Sequence, residues 1–336
     1  GAGEKSFCND ADYEKAGAVI TSREEIFKSP DIILSIHPLD ASVLPGGKYI
    51  LIGVYSPLTN IEFIKRMAEK EITLFSLDML PRTTRAQSMD VLSSQANIAG
   101  YKAVLMAAYV YARYFPMFMT AAGSITPAKI LILGAGVAGL QAIATAKRLG
   151  AVVEVFDTRP AVKEEVMSLG AKFIEVEGAA DASKAGGYGV EQSDDYKQKQ
   201  QQKIADSIAK ADIVITTAQI PGKKAPILIT EEMLKTMRNG SVIIDIASAT
   251  GGNTPFTKNN ETVIYNGISI IGNSNLAATM PGDASKLYGK NILNFLQLII
   301  NKEAQLNLDW NDDLVAGSCI THAGKVVNDR VGILIS

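Results

Sequence analysis

Three glycines at a fixed spacing, followed further along the chain by an acid, are the residues of this sequence with the most definite chemistry. The glycines form the pattern Gly134-x-Gly136-x-x-Gly139, and the acid is Asp157. An apolar run precedes the first glycine, a helix-period segment follows the third, and a second apolar run ends at the acid. Strand, tight turn, helix and strand in this order predict a dinucleotide site.

Each residue of this pattern has a distinct physical task. Gly134 permits the sharp turn, Gly136 lets the backbone approach a pyrophosphate, and Gly139 lets the helix pack closely on the strand. The helix N-terminus offers unpaired N–H groups and a positive dipole end to the phosphates. Asp157 would accept hydrogen bonds from ribose hydroxyls and repel a 2′-phosphate, which favours NAD over NADP. We expect Arg159 to be solvated or to lie near the phosphates. The alternative is a structural βαβ crossover with a glycine-rich turn.

A second polar group crowds the start of a long helical pattern that ends near Phe115. Its members are Arg82, Gln87, Asp90 and Ser93. One interpretation is an ordinary helix start, in which Asp90 complements the helix dipole. In the other, these side chains project into a cleft between domains and bind a ligand there. Spacing alone leaves both interpretations open.

Short apolar runs that alternate with helical patterns predict parallel sheets. In the first part of the chain we expect strands at 31–36, 49–54 and 73–77, with an amphipathic helix at 60–70. Beyond the glycine pattern, strands are expected at 172–176, 212–216, 241–246 and 269–271. Thr217 and Ala218 follow one of these strands, at the sheet end where open α/β sheets place ligands. The tail predicts a hairpin with strands at 315–320 and 325–327.

The sequence therefore predicts an α/β protein of two Rossmann-like domains, each with a doubly wound parallel sheet, joined by two long helices and separated by an interdomain cleft. The first domain would comprise 1–120 and 290–336 and would lack its opening strand and helix. The second, NAD-binding domain would comprise 121–289. A glycine-rich stretch predicts a mobile loop at about 178–195, leading into a solvated helix. Tyr188, between glycines of this loop, would be a packing anchor or a ligand contact.

Composition sets outer limits on function. A length of 336 residues with 47% hydrophobic and 20% charged residues indicates a globular protein of two domains. The net charge of −2 gives no electrostatic footprint for nucleic acid. The two cysteines suit a reducing, cytoplasmic setting, and the two histidines lack metal-ligand spacing, so no metal site is expected. The apolar segment 98–119 carries charges and a proline, which indicates a buried helix in a soluble chain.

Four segments of the chain resemble a known family. They are the polar motif from Arg82 to Gln95, the stretch from Gly136 to Ala151, the Ala-Gly-Gly-Tyr sequence ending at Tyr188, and the stretch from Ile215 to Gly222. Together they resemble the NAD(H)-binding component of proton-translocating nicotinamide nucleotide transhydrogenase, a relative of alanine dehydrogenase. The resemblance covers essentially the whole chain, and the polar motif is its most specific part.

The resemblance implies direct hydride transfer between NAD(H) on this chain and NADP(H) on a partner component, coupled to proton movement by a membrane component. It also implies a homodimer, placed as a soluble peripheral domain on the cytoplasmic side of the membrane or on the mitochondrial matrix side. Arg82, Gln87 and Asp90 would hold the nicotinamide end, with Ser93 beside them. The other implied nucleotide contacts are Gly134, Gly136, Val137, Ala138, Gly139, Asp157, Thr158, Gly187, Tyr188, Thr217, Ala218 and Asn275.

Two other functions stay open on the sequence. An alanine dehydrogenase would use a lysine and a histidine in its first domain to bind and protonate a keto acid, and those positions are here Ser35 and Val54. His37 lies near them, and either a displaced catalytic role or a structural role at a strand end is open to it. The third alternative is a non-catalytic NAD-binding module, which needs only the adenine half of the nucleotide.

Overall fold

The computed structural model of the chain describes residues 1–180 and 192–335. The strands, in chain order, are β1 (Ile32–Leu34), β2 (Ile50–Gly53), β3 (Thr73–Ser76), β4 (Phe118–Thr120), β5 (Gly123–Ile125), β6 (Lys129–Leu133), β7 (Val152–Phe156), β8 (Lys172–Phe173), β9 (Ile213–Thr216), β10 (Val242–Asp245), β11 (Glu261–Tyr265), β12 (Ile268–Gly272), β13 (Cys319–His322) and β14 (Lys325–Val326). The α-helices are α1 (Asp10–Lys15), α2 (Arg23–Ile26), α3 (Ile61–Glu69), α4 (Val91–Val110), α5 (Val137–Arg148), α6 (Lys163–Ser168), α7 (Asp194–Ile208), α8 (Glu231–Thr236), α9 (Pro281–Ile299), α10 (Asp313–Ser318) and α11 (Asp329–Ile335).

The chain divides into two compact α/β units, each with a largely parallel sheet. Unit 1 comprises Gly1–Ser94 and Pro281–Ser336, and unit 2 comprises Gln95–Met280. One boundary falls inside α4 and the other at the first residue of α9. The sequence placed these boundaries at 120/121 and 289/290, near the opposite ends of the same two long helices.

The sheet of unit 2 has the strand order β11-β12-β10-β9-β6-β7-β8. All its pairs are parallel except β11 with β12. Without β11, this is the 3-2-1-4-5-6 order of a dinucleotide-binding sheet, with β6 as the first strand. The order reverses between β6 and β9, and open α/β sheets bind ligands at such a point. The glycine turn follows β6 and therefore lies at this point.

Helices cover both faces of this sheet, because its central strands are apolar on both sides. One core joins alternate residues of β6 and β9 to Ala103 and Ala107 of α4 and to Ala142 and Ile143 of α5. The other core joins the remaining strand residues to α7 and α8. Helix α7 was expected to be solvated throughout, yet one side of it is buried through Tyr196, Ile204 and Ile208.

Strand β11 was not predicted, although the sequence carries a signal for it. Asn266 and Gly267 connect β11 to β12, and both have positive φ, at 47° and 74°. An Asn-Gly pair between two strands favours a two-residue hairpin turn of this kind. Most of β11 is exposed, so its hydrophobic pattern is weak. The exposed hairpin β4–β5 was missed as well.

The sheet of unit 1 has the order β1-β2-β3-β13-β14. The first three strands are parallel, as predicted, while β13 is antiparallel to both β3 and β14. Strand β13 is shorter than the predicted 315–320 strand, because residues up to Ser318 form α10 instead. Asp312 caps that helix by accepting from the Leu314 N–H at 2.9 Å, and the adjacent residues Leu314 and Val315 are both buried, which a half-buried strand does not allow. Across the described part of the chain, no helix has the length and hydropathy needed to cross a bilayer.

Candidate functional site

The glycine turn lies between β6 and α5 of unit 2, and its three glycines differ in what surrounds them. Gly134 has a φ of +105°, and a Cβ there would lie 2.3 Å from Thr217 Oγ1. A Cβ on Gly139 would lie 1.9 Å from the Gly134 carbonyl oxygen. A Cβ on Gly136 would meet nothing within 4 Å. Packing thus requires two of the glycines, whereas the third faces open space, as it must if a ligand is to approach its backbone.

Helix α5 begins next to this open space, with Gly136 as its N-cap. Val137 is partly exposed and Ala138 is buried, so the first turn of the helix has one accessible side. Gly100 of α4 packs against the other side, where a Cβ would lie 2.0 Å from the Ala138 carbonyl oxygen. The first N–H groups of a helix have no intrahelical partners, and with the helix dipole they favour an anion. This geometry fits the pyrophosphate of a dinucleotide.

Asp157 follows β7 and is buried, and its carboxylate is fully engaged within the chain. Oδ2 accepts from the Ala135 N–H at 2.7 Å, and Oδ1 accepts from the Arg159 N–H at 2.8 Å. The Arg159 guanidinium donates to both oxygens, at 2.9 Å from Nε and 2.7 Å from Nη2. Four donors fill the acceptor positions of a carboxylate. Any ribose hydroxyl at Asp157 would therefore replace one of these bonds.

The expectation that Arg159 is solvated is wrong. Its side chain is 17% exposed, and the hydrogen bond to Asp157 is the main reason that the pKa of the guanidinium lies above its ordinary value. The cause is local, since a carboxylate two residues earlier captures both the backbone N–H and the guanidinium. Thr158, between the two, is half-buried.

Thr217 and Ala218 follow β9, beside the glycine turn. Thr217 Oγ1 lies 3.2 Å from the Gly134 carbonyl oxygen. Asn253 fixes the next residue from both sides, because its Oδ1 accepts from the Ala218 N–H at 3.2 Å and its Nδ2 donates to the Ala218 carbonyl at 2.9 Å. Asn253 is fully buried and was missed by the sequence reasoning, although an asparagine directly after a Gly-Gly pair was a visible signal. Asn275 lies beyond β12 and is exposed.

The polar loop, defined as Arg82–Asp90, lies in unit 1 and contains the 3-10 helix Thr84–Met89. Ala86 and Met89 are buried in the core of this unit, while Arg82 and Gln87 are exposed. The buried residues thus anchor the loop, and its polar side chains are accessible to a ligand.

Asp90 ends the polar loop and acts as the N-terminal cap of α4. Its Oδ1 accepts from the Ser93 N–H at 2.9 Å, and its Oδ2 accepts from Ser93 Oγ at 2.6 Å. The capping role that the sequence allowed is therefore present. It does not exclude a contact with a ligand, because Asp90 is only half-buried.

Arg85 ties the polar loop to α10. Its guanidinium donates to Asp312 and, at 2.6 Å, to Asp313. The bond to Asp312 raises the pKa of Arg85 above its ordinary value. Sequence reasoning did not identify this role, because the aspartates are more than 200 residues away in the sequence.

The strand ends where an alanine dehydrogenase would hold its lysine and histidine carry no such groups here. Ser35 Oγ lies 2.8 Å from the Tyr55 hydroxyl, and the Tyr288 hydroxyl donates to the Ser35 carbonyl at 2.8 Å. Burial raises the pKa of both tyrosines above the ordinary value, so neither is an acid suited to neutral pH. Val54 packs against the apolar core. His37 is exposed beyond the end of β1.

Two further expectations concern the loop and metals. Gly187 and Tyr188 lie outside the described residues, as does the predicted mobile loop from 181 to 191. Within the described ranges, no group of three or more His, Cys, Asp or Glu side chains is placed to hold a metal ion.

Comparison with known proteins gives the family. The models "Alanine dehydrogenase/PNT, N-terminal domain" and "Alanine dehydrogenase/PNT, C-terminal domain" match residues 1–99 and 103–329. An NAD(P) transhydrogenase alpha subunit of Rickettsia prowazekii is 48% identical over 95% of this chain and 84% of its own length. The corresponding subunit of Rhodospirillum rubrum is 43% identical over 98% of this chain and 88% of its own length.

A solved structure agrees with this assignment. The transhydrogenase from Sinorhizobium meliloti superposes with a TM-score of 0.87 and 46% identity, covering 97% of this chain and 89% of that one. Family models, relatives and structure point to the same group. The chain belongs to the alanine dehydrogenase/PNT family, and within it resembles the alpha subunits of NAD(P) transhydrogenases.

Proposed function

We propose that this chain is the NAD(H)-binding component of a proton-translocating transhydrogenase, and that it presents NAD(H) for direct hydride exchange with NADP(H) held on a partner component. The observation that carries the proposal is the polar loop. It exposes Arg82 and Gln87 on a backbone anchored by buried Ala86 and Met89, and the nearby strand ends supply no catalytic acid. This combination suits the positioning of a nicotinamide and does not suit proton transfer.

The residues of unit 2 would hold the nucleotide. The backbone from Gly134 to Gly139, including Val137 and Ala138, would bind the pyrophosphate, since Gly136 faces open space and α5 begins there. Asp157 and Thr158 would bind the adenosine ribose. Thr217, Ala218 and Asn275, together with Gly187 and Tyr188, would line the rest of the nucleotide site.

The residues of unit 1 would orient the nicotinamide end. Bound NADH supplies a hydride, and the protein has to hold the ring close to its acceptor and exclude water. Arg82 and Gln87 offer hydrogen-bond donors for a carboxamide and a ribose. Asp90 and Ser93, already bonded to each other, would give a rigid acceptor beside them.

The alanine dehydrogenase alternative requires a general acid for the keto acid. Ser35 and Val54 replace the lysine and the histidine, and the tyrosines near Ser35 have raised pKa values. A serine cannot protonate a carbonyl oxygen efficiently at neutral pH, because general acids work best with a pKa near the working pH. We therefore expect no alanine oxidation by this chain.

The proposal extends to the assembly. We propose a homodimer that docks an NADP(H)-binding component and a membrane component that moves protons. In that arrangement this chain is a peripheral part of the complex, on the cytoplasmic side of the membrane or on the mitochondrial matrix side.

Hydride exchange in a reconstituted mixture tests the proposal. The chain is mixed with an NADP(H)-binding transhydrogenase component, and transfer of deuterium from [4-²H]NADH to NADP⁺ is followed by mass spectrometry. We expect stereospecific transfer in the mixture and none from the chain alone. Steady NADH production from alanine and NAD⁺ would overturn the proposal in favour of the dehydrogenase. Tight NADH binding without exchange would favour a non-catalytic binding module.

A variant of Gln87 tests the role of the polar loop in the same assay. Gln87→Ala should slow exchange at least about tenfold, which is roughly 1.4 kcal/mol in the barrier, while changing the NADH dissociation constant much less. Gln297→Ala is the matched control, because Gln297 is also an exposed glutamine of unit 1 but lies outside the loop. Equal losses of rate and affinity in Gln87→Ala would contradict a positioning role.

A further inference from the structure

Two asparagines on α9 hold one carbonyl group of the polar loop. Asn291 Nδ2 donates to the Ser88 carbonyl oxygen at 2.8 Å, and Asn294 Nδ2 donates to the same oxygen at 3.0 Å. Ser88 lies directly after Gln87 in the loop. The direction of this carbonyl therefore sets the peptide plane next to the side chain that we assign to the nicotinamide.

Asn291 also contacts the helix that follows the loop. Its Oδ1 accepts from Ser94 Oγ on α4 at 2.8 Å. One amide group thus joins the 3-10 turn before Asp90 to the first turn of α4 after it. Since a side-chain amide has both a donor and an acceptor, Asn291 serves the two polar groups at once. The contact of Asn294 with the loop is the first of these two alone.

Burial makes the two asparagines unequal. Asn291 is 6% exposed and lies among the apolar residues of α9, whereas Asn294 keeps more of its surface in water. A buried polar group that loses its partner is costly, because no water replaces the bond. Without Asn291, the Ser88 carbonyl would keep only the bond from Asn294, and the Ser94 hydroxyl would turn to the Val91 carbonyl of its own helix, at 3.1 Å. The loop would then lose its link to the first turn of α4.

We propose that Asn291 is a positioning residue, which fixes the backbone at Ser88 and so sets the direction in which Gln87 and Asp90 present their side chains. The proposal rests on the function proposed above. Asn291 does not act on the nucleotide itself, and its effect is transmitted through the Ser88 carbonyl and the Ser94 hydroxyl. A polar residue on the buried side of an amphipathic helix is explained by this double contact.

Two measurements on Asn291→Ala test the proposal, with Asn294→Ala as the matched control. The first is hydride exchange with the NADP(H)-binding component. Displacing a reacting group by about 1 Å can lower a rate by about 100-fold, so we expect a loss of roughly 10- to 100-fold for Asn291→Ala. The NADH dissociation constant should change less than about threefold, because the main anchors of the nucleotide are in unit 2. Asn294→Ala should stay within about twofold of the wild type.

The second measurement does not depend on the proposed function. Amide hydrogen exchange of the peptide spanning 84–90 should become about tenfold faster in Asn291→Ala and stay unchanged in Asn294→Ala. Unchanged protection, or equal changes in both variants, would overturn the positioning role even if the wild type shows no hydride exchange. An inactive wild type with a loosened loop in Asn291→Ala would instead overturn the proposed function alone.

A second substitution covers the case in which Asn291→Ala does not fold. Asn291→Asp keeps the size of the side chain and the acceptor for Ser94, but it removes the donor to the Ser88 carbonyl. The same rate loss and the same loosening of 84–90 are expected. Wild-type behaviour of Asn291→Asp in both measurements would overturn the proposal.

Discussion

Replacing Asp157 by asparagine should destabilise unit 2 specifically. The substitution keeps the size of the side chain but removes the charge that holds the Arg159 guanidinium, and it sets an NH₂ group against one of the present donors. The two side chains are 5% and 17% exposed. Removing one partner of a buried ion pair costs about 3–5 kcal/mol. Because Arg159 keeps some contact with water, we expect a loss near the lower end, about 3 kcal/mol.

The chain carries a built-in reporter for separating its two units. Its single tryptophan, Trp310, lies in unit 1, where its ring centroid is 4.7 Å from that of His322. Tryptophan fluorescence therefore follows unit 1, whereas far-UV circular dichroism follows both units. A change of 1 kcal/mol shifts the melting temperature of a unit of this length by roughly 2–4 °C. Asp157→Asn should thus lower the dichroism transition by roughly 6–12 °C and leave the fluorescence transition close to that of the wild type.

Two comparisons decide whether the reasoning is right. Glu154→Gln is the matched control, since Glu154 lies on the same strand and pairs with the exposed Lys172 at 2.8 Å, a surface pair worth less than about 1 kcal/mol. Adding Arg159→Leu to Asp157→Asn should restore part of the stability, because no buried charge is then left alone. A transition in Asp157→Asn like that of the control, or further loss in the double variant, would refute the assigned role of the pair.

Three further predictions follow from the described geometry. Gly139→Ala should destabilise unit 2 by about 1–3 kcal/mol, because its Cβ would collide with the Gly134 carbonyl, whereas Gly136→Ala should fold normally and weaken NADH binding; equal stability of the two variants in thermal melts would contradict this. Burial raises the pKa of the Cys319 thiol to about 12, so iodoacetamide at about pH 8 should label the partly exposed Cys8 first, and equal labelling rates in peptide mass spectra would contradict the burial. Burial also raises the pKa of Asp78 above 3.8, so the stability that this group contributes is present below that pH and is lost as the pH rises through the raised value; Asp78→Asn should remove this part of the pH dependence in fluorescence-monitored unfolding, and an unchanged profile would argue against it.

The sequence was sufficient to predict the α/β class and the parallel strands of both units. Continuous runs such as Ile213–Thr216 are buried on both faces, and only the interior strand of a covered sheet needs such a run. The glycine turn was equally readable, because its geometry depends on residues within a few positions of one another. Gly134 and Gly139 contact each other over five residues, and local sequence carries that information.

Other features depend on groups that the sequence does not bring together. The contact of Arg85 with α10 and the contact of Asn291 with Ser88 each join residues some 200 positions apart. The tail was misread for another reason, since two consecutive buried residues, Leu314 and Val315, fit a strand or a short helix equally well until the cap at Asp312 is seen. Arg159 was misjudged because a polar side chain after a strand was assumed to face water.

The discontinuity of unit 1 has a consequence for how the protein is made. Strands β1 to β3 belong to the first 94 residues, but β13, which pairs with β3, starts only at Cys319. A ribosome therefore completes the whole of unit 2 while one edge of β3 still lacks its neighbour. Open strand edges invite pairing with other chains, and domains generally fold as units during synthesis. Unit 2 can reach its final form early, whereas unit 1 has to remain unfinished, and open to chaperones or to aggregation, until the last residues emerge.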